Sequence, residues 1–379
     1  MTVLVSVVDG RYDRQELITW WDQSRLSSAR VLVVGAGALG NELVKCLVLV
    51  GVGSVHVVDG DVVERSNLAR CPFFTEQDEQ SPKAEVLARA AGRLNPNVSV
   101  TSSNCRVQDL GVGAFADVDL VLGGLDNREA RLWVNQACRK AGVAWVDGAI
   151  EGLRGIARVF LPDTGACYEC TLGEADRQAL AHRMSCSLLS PQEMVGGKTP
   201  TTSTSASIVA AVQVQEAVKL LSGRPELVAL AGRAWNYVGD TMDTWVVEYG
   251  EDVDCFAHDR YDGLREVDAS DDPALRTLLE RSGAAGFTSV SLEDDLVVGA
   301  RCPACDRSTT VLRRRSSLVA GDGECAECGE VLALDVARML GPESPLLDVP
   351  LSRLHLAAAD VLTATVSGER VHLLVRSGS

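Results

Sequence analysis

Several absences narrow what this chain can be. No apolar stretch reaches about 18 uncharged residues, so no transmembrane helix is expected. The N-terminus, MTVLVSVVDGRYDR, has neither a basic leading segment nor a small-residue cleavage site, and so does not read as a secretion signal. A surplus of positive charge is also missing: 36 Lys and Arg face 52 Asp and Glu, a net charge of −16. A general nucleic-acid binder needs a basic surface, which excludes that class but leaves room for a basic pocket around a small phosphate ligand. No self-similarity at a solenoid period is present.

What the chain does have is length, apolar content and cysteine. Its 379 residues, 46% hydrophobic, can form two to three domains with a full core. Of twelve cysteines, Cys46, Cys71, Cys105 and Cys138 stand apart, and the other eight fall near metal-like spacings or in one polar loop. Without a secretion signal, CxxC pairs read as zinc sites rather than disulfides, and a reducing, cytoplasmic location is expected.

The stretch from Val31 to Arg70 organises the rest. An apolar strand, VLVV, enters GAGALG, and a second strand ends in VVDGDVVERSNLAR. Gly35, Gly37 and Gly40 form a GxGxxG, in which glycines permit a tight turn and bring a phosphate to a helix N-terminus. Asp59 follows 19 residues after Gly40, where a carboxylate can bond a ribose. Alone, this reads as a nucleotide site, most often for a dinucleotide.

Around it, the periodicity predicts a helix from about Gln15 to Leu26, with Leu17, Ile18, Trp21 and Leu26 turned inward. Strands are expected at Val31–Val34, Val55–Val58, Val98–Val100, Val118–Leu122 and Ala144–Val146, and an antiparallel one within Gly152–Phe160. A helix covers Ala38–Val50. Ser81 is expected to cap another, with Pro82 first and Lys83 in its first turn. A cation there opposes the helix dipole, so Lys83 needs an anionic partner or must face water. Asp126 stands at the C-terminal edge of a strand, where open α/β sheets bind ligands, but Asp126 or Asn127 could equally cap the helix from Arg128 to Lys140. The helix Ser205–Leu221 is expected to bury Ile208, Val212, Val218 and Leu221. Strands follow at Leu227–Leu230 and Thr244–Tyr249. An acidic boundary spans Asp259–Asp272, a short helix Pro273–Arg281, and a last strand Arg370–Arg376. Cys302, Cys305, Cys325 and Cys328, with 19 residues between the pairs, carry the spacing of a zinc ribbon. Arg313, Arg314 and Arg315 between them read as a solvated strand edge.

GAGALG, VVDGDVVERSNLAR, SPKAE, GGLDN and CYEC, in this order, resemble the ThiF/MoeB-like superfamily, which includes the ubiquitin-activating enzymes. The resemblance runs from about Arg11 to His258. It implies a Rossmann-like half with a continuing mixed sheet, usually dimeric. It also implies a reaction in which ATP and a protein's C-terminal glycine give an acyl-adenylate and pyrophosphate. In that reading Asp59 holds the ribose and Gly35, Gly37 and Gly40 lie against the nucleotide. Asn67, Arg70 and Lys83 bind phosphates, Asp126 places magnesium, and Asp61 and Asn127 belong to the same site. Arg14 matches an arginine donated across the dimer. A dehydrogenase would need none of Arg70, Lys83 and Asp126 together, so the dinucleotide reading gives way. Cys71 replaces a common Gln, and is either a thiol beside Arg70 or a small packed residue.

The resemblance also pairs Cys167 and Cys170 with a second half-site, occupied here by Cys255 and His258, as a structural zinc centre. It places Cys186 in a loop that crosses the active site, where a cysteine takes the acyl group in some relatives, with His182, Arg183 and Lys198 nearby. The fold class expected is therefore α/β. A Rossmann-like adenylation domain spans 1–259, followed by a linker with a short helix at 260–300 and a zinc ribbon at 301–335. A small module at 336–379 vaguely resembles ubiquitin-fold appendages. The expected activity is ATP-dependent adenylation of a ubiquitin-like protein, thioester formation at Cys186 and transfer to a conjugating enzyme, by a homodimer using ATP, magnesium and two zinc ions. The alternatives are activation of a sulfur-carrier protein, with no fused rhodanese-like segment visible, and a non-catalytic scaffold subunit. No nucleic acid or membrane partner is expected.

Overall fold

A computed structural model describes residues 10–173, 200–318, 320–356 and 358–376. By contact these form two units, 10–107 with 115–171 and 200–258, and 108–114 with 172–173 and the described residues from 259 onward.

The first unit starts with two short helices, α1 (Asp13–Glu16) and α2 (Gln23–Ser28). The chain then alternates β1 (Arg30–Val34), α3 (Ala38–Val50), β2 (Ser54–Val58), α4 (Lys83–Leu94) and β3 (Ser99–Ser103). After the single turn α5 (Gly113–Ala116) come β4 (Leu120–Gly123), α6 (Arg128–Ala141), β5 (Trp145–Glu151) and β6 (Arg154–Phe160). A long helix, α7 (Ser203–Leu221), and the strands β7 (Arg233–Val238) and β8 (Asp243–Glu248) complete it. The sheet order is β3-β2-β1-β4-β5-β6-β7-β8. Strands β3 to β5 in that order are parallel, and the pairs from β5–β6 onward are antiparallel. From β1 the chain moves outward to β2 and β3, then returns to β4 on the other side. The crevice between the C-terminal ends of β1 and β4 is thus a topological switch point, where such sheets bind ligands. Val31, Val33, Val55 and Val57 meet Leu43, Leu47 and Leu120 in the core.

Four local expectations are corrected. The helix from Gln15 to Leu26 is broken, because the Asp22 carboxylate accepts the Arg25 N–H at 3.0 Å and starts a new helix. Leu17 and Ile18 consequently lie at the surface while Leu26 is buried. Ser81 does not cap α4: its N–H bonds to the Asp78 carbonyl, Pro82 takes the cap position, and no side chain caps that end. Helix α7 buries Ala206, Val209, Ala210, Val214, Ala217 and Val218, and leaves Ile208 and Val212 half-buried. Its alanines allow close approach to α3 and β5, so packing selected the small side chains over the most apolar ones. The expected strand at Leu227–Leu230 is instead preceded by a 3-10 turn, Pro225–Leu227, and the pairing strand is β7.

The second unit contains β9 (Leu264–Asp268), α8 (Leu275–Arg281), β10 (Phe287–Arg301), β11 (Ser308–Arg314), β12 (Ala333–Leu340), β13 (Val361–Val366) and β14 (Glu369–Arg376). The sheet runs β11-β10-β13-β14-β9, with β12 also on β10. Segment 260–300, expected as a linker with a short helix, supplies that helix, whose Leu275, Leu278 and Leu279 enter the core, and two strands besides. Ribbon and tail are not separate pieces either. The 15-residue β10 pairs with β13 through 287–291 and with β11 and β12 through 296–301. Arg314 is no solvated edge: it is buried, paired with Asp360 and bonded to the His355 carbonyl. Among the described residues no helix is long and apolar enough to cross a membrane.

Candidate active site and metal clusters

Three loops meet at the switch point. The Gly35 N–H bonds to the Val58 carbonyl and the Gly124 N–H to the Val34 carbonyl, both at 2.8 Å, joining the ends of β1, β2 and β4. Gly35 has φ +99°, and a Cβ on it would lie 2.6 Å from the Gly124 oxygen. A Cβ on Gly40 would lie 1.9 Å from the Gly35 oxygen. These two glycines are required by the protein's own packing. Gly37 differs: a Cβ there would meet nothing within 4 Å. It faces open space at the start of α3, where the first N–H groups of a helix attract an anion. Buried Asn41 holds the turn, donating to the Ala36 and Gly37 carbonyls at 2.8 and 3.1 Å and accepting the Phe73 N–H.

Asp59 lies beneath this turn. One carboxylate oxygen accepts the Ala36 N–H at 2.7 Å, the other the Asp61 N–H at 2.8 Å. Burial raises its pKa despite those bonds. Lys83 resolves the question of a cation at the start of α4 by pairing with Asp61 at 2.7 Å. Burial works to lower the Lys83 pKa, but the Asp61 bond and the charges of Asp59, Asp61 and Asp126 outweigh it and hold the ammonium protonated. Asp126, exposed after β4, therefore shares the electrostatic surroundings of Lys83.

Arg70 reaches the Ser66 carbonyl at 3.0 Å, and its charge is felt by Cys71. Cys71 is buried, and burial pushes its thiol up to about 11 against the pull of Arg70 and Lys83. It is a packed residue of the core. Asn67 is buried and accepts the Glu64 N–H at 2.9 Å, closing a capping box. Of the two caps open to α6, Asn127 is the one used: it accepts the Ala130 N–H at 2.7 Å and donates to Asp126 at 3.3 Å. Arg14 is exposed on α1 and joins none of these groups, although its neighbour Tyr12 packs on Gly51 and bonds Asn95. Cys186 lies outside the described residues, as do His182, Arg183 and Lys198.

Two clusters have the donor sets and spacings of metal centres. Cys167, Cys170, Cys255 and His258 converge, as do Cys302, Cys305, Cys325 and Cys328, each set with ligand atoms within 4.8 Å of one another. Two thiolates at tetrahedral angles around one zinc, each about 2.3 Å from it, sit about 3.7 Å apart. Cys167 lies 3.7 Å from both Cys170 and Cys255, and the second set shows 3.5 and 3.6 Å. Both sets therefore fit zinc. In the first, His258 turns Nε2 to Cys170 at 3.3 Å and Nδ1 toward Glu251, 3.8 Å away, the arrangement that orients a ligating imidazole. Asn135 donates to the Cys167 sulfur at 3.4 Å and accepts the Tyr168 N–H at 2.8 Å. In the second, left-handed Asp306 and Gly329 close the two CxxC turns.

Sequence reasoning passed over Asn41, Gly124, Asn135, Arg131 and Asp147. The signal available was polarity in the wrong place: Asn41 in an apolar helix turn, and Asp147 inside the strand WVDGA.

Residues 12–256 match the ThiF family. The chain is 39% identical over 234 residues to the SAMP-activating enzyme E1 of Haloferax volcanii, covering 62% of this chain and 81% of that protein. It is 36% identical over 224 residues to the sulfur carrier protein ThiS adenylyltransferase of Bacillus subtilis, covering 56% and 61%. To the NEDD8-activating enzyme E1 catalytic subunit of Schizosaccharomyces pombe it is 39% identical over 150 residues, covering 38% of this chain and 34% of that subunit. The fold is shared with E. coli MccB solved with ATP, at TM-score 0.55 and 21% identity over 67% of this chain and 75% of that one.

Proposed function

The chain belongs to the ThiF family, and from that premise we propose that it adenylates the C-terminal glycine of a ubiquitin-like or sulfur-carrier protein with ATP. The observation that carries this reading is that Lys83, paired with Asp61, feels the charges of Asp59 and Asp126, and that Asp59 is bonded to the Ala36 N–H of the glycine turn.

A carboxylate attacking an α-phosphate brings two anions together, so the site must neutralise charge already present and charge that develops. Lys83 is held protonated next to Asp61, and a phosphate can replace that carboxylate as its partner. Arg70 adds a second cation. The Gly37 turn lets backbone N–H groups approach the triphosphate. Asp59, fixed to the turn by two bonds, offers a carboxylate edge to the ribose. Asp126 is the ligand for magnesium, a hard cation suited to carboxylate and phosphate oxygens, which would neutralise part of the triphosphate charge. Asn67 adds to the phosphate side. Arg14 completes the site of a second copy in a homodimer. The two cysteine clusters hold structural zinc, since four protein ligands leave no open position.

The relatives divide between modifier activation and sulfur-carrier activation, and both remain readings of this chain. In the first, Cys186 takes the acyl group from AMP as a thioester for a conjugating enzyme. A lowered thiol pKa or an adjacent base would be needed there.

The test is ATP–pyrophosphate exchange. Exchange should depend on adding a small protein ending in glycine, and Asp126→Ala should lower it about 100-fold with folding intact. If no such protein supports exchange, or if Asp126→Ala is fully active, the proposal fails. A thiol-sensitive adduct absent from Cys186→Ala would select the thioester branch.

A further inference from the structure

Helix α6 carries three polar residues at i, i+4 and i+8, Arg131, Asn135 and Arg139, all buried. Burying a guanidinium is costly unless every N–H finds a partner, so the partners show what the position is for. Arg131 donates from Nε to Asp147 at 3.1 Å. Its Nη2 reaches the Gly148 carbonyl at 3.2 Å and also bonds the Leu125 carbonyl. Asp147 is fully buried, and Arg158 occupies its other oxygen.

Leu125 directly precedes Asp126. The connection from β4 to α6 is thus tied at three points: the Gly124 N–H to Val34, the Leu125 carbonyl to Arg131, and Asn127 to Ala130. Asp126 itself is exposed, its carboxylate accepts the Asn127 amide at 3.3 Å, and the bonds on either side fix the backbone that carries it. We propose that Arg131, locked by Asp147, is the positioning residue that aims Asp126 toward Lys83 and the metal–nucleotide complex. The inference rests on the proposed function of this site. Asp147 belongs to β5, the strand beside β4, so the aim of Asp126 is referred to the rigid sheet rather than to the loop.

The experiment varies magnesium at fixed ATP and follows binding of a fluorescent ATP analogue to the full chain. Arg131→Lys keeps a cation opposite Asp147 but cannot span to Leu125 with a planar fork. It should raise the half-saturating magnesium concentration about tenfold, the usual scale for losing an outer partner of a metal ligand. Asp147→Asn should shift it in the same direction. Arg139→Lys is the matched control: same helix, same 7% exposure, but its partners are the Pro162 and Gly165 carbonyls. It should lower the melting temperature while moving magnesium dependence by less than about twofold.

Unchanged magnesium dependence in both Arg131→Lys and Asp147→Asn overturns the inference, as does an equal shift in Arg139→Lys. If Asp147→Asn does not fold, Arg131→Lys decides alone. A wild-type chain that binds no magnesium–ATP at all refutes the proposed function, and this inference with it. A wild-type chain that binds, beside variants that bind identically, refutes the inference only.

Discussion

The two cysteine clusters share one local pattern, CxxC, and differ in what they hold. Cys167 and Cys255 are 88 positions apart, while Cys302 and Cys328 are 26 apart. Loop-closure entropy grows only with the logarithm of that separation, so it does not make the larger difference. The surroundings do. Around the first cluster, α6 provides Asn135 to Cys167 and Tyr168, and Gln136 to Glu169 at 2.7 Å. The Tyr168 ring lies 5.0 Å from the Arg158 guanidinium, which is bonded to Asp147. That cluster is therefore wired into the core of its unit. The second closes the end of a ribbon, with Cys305 and Cys328 exposed. The same spacing thus marks a staple for a whole unit in one place and a local clasp in the other.

Removing metal should separate the two most strongly. Cys255→Ser should leave one zinc per chain and destabilise the first unit by much of the roughly 10 kcal/mol that a structural zinc can contribute. Cys325→Ser should also leave one zinc, yet preserve the denaturant transition of the first unit. Metal analysis with denaturant melts checks both, and identical melts for the two variants would break the comparison. Next in size is Asp360→Asn. It leaves Arg314 buried without its carboxylate, a loss of about 3–5 kcal/mol that should fall on the second unit alone. Burial pulls the Arg314 pKa down, while the charges of Asp294 and Asp109 push it up.

A smaller effect is expected from Asn135→Ala. It removes a bond to the Cys167 sulfur and orphans the Tyr168 N–H, at about 1–3 kcal/mol. Zinc transfer to a colorimetric chelator should accelerate at one site only, and acceleration at neither would show that α6 does not brace the cluster. The smallest is Asp22→Ala, which loses the cap of α2 for about 1 kcal/mol in a thermal melt. It lies in the first unit but outside both clusters, so zinc release should be untouched.

The candidate site was largely legible because its parts are local. A strand, a Gly-rich turn and a helix are encoded within about twenty residues, and each metal half-site within four. The apolar runs VLVV and VHVV could only be buried parallel strands once a helix lay between them. What escaped was polar burial. Nothing adjacent to Arg131, Arg314 or Asp147 announces a partner, since each pairs across strands or between helix and sheet. The same cause hid the unity of the second unit. A strand of 15 residues, with register shifts at Ser291 and Val297, does not look periodic from either partner's side.

By itself, then, the sequence determined the family, the glycine turn and the residues of the two metal-like clusters, because these depend on residue type at short spacing. Only the tertiary structure decided that Gly37 alone of the three glycines faces open space, that Lys83 pairs with Asp61, and that Leu125, next to Asp126, is tied to a buried arginine. Those facts depend on which distant groups are brought close enough to share charge and hydrogen bonds, and that is a property of packing.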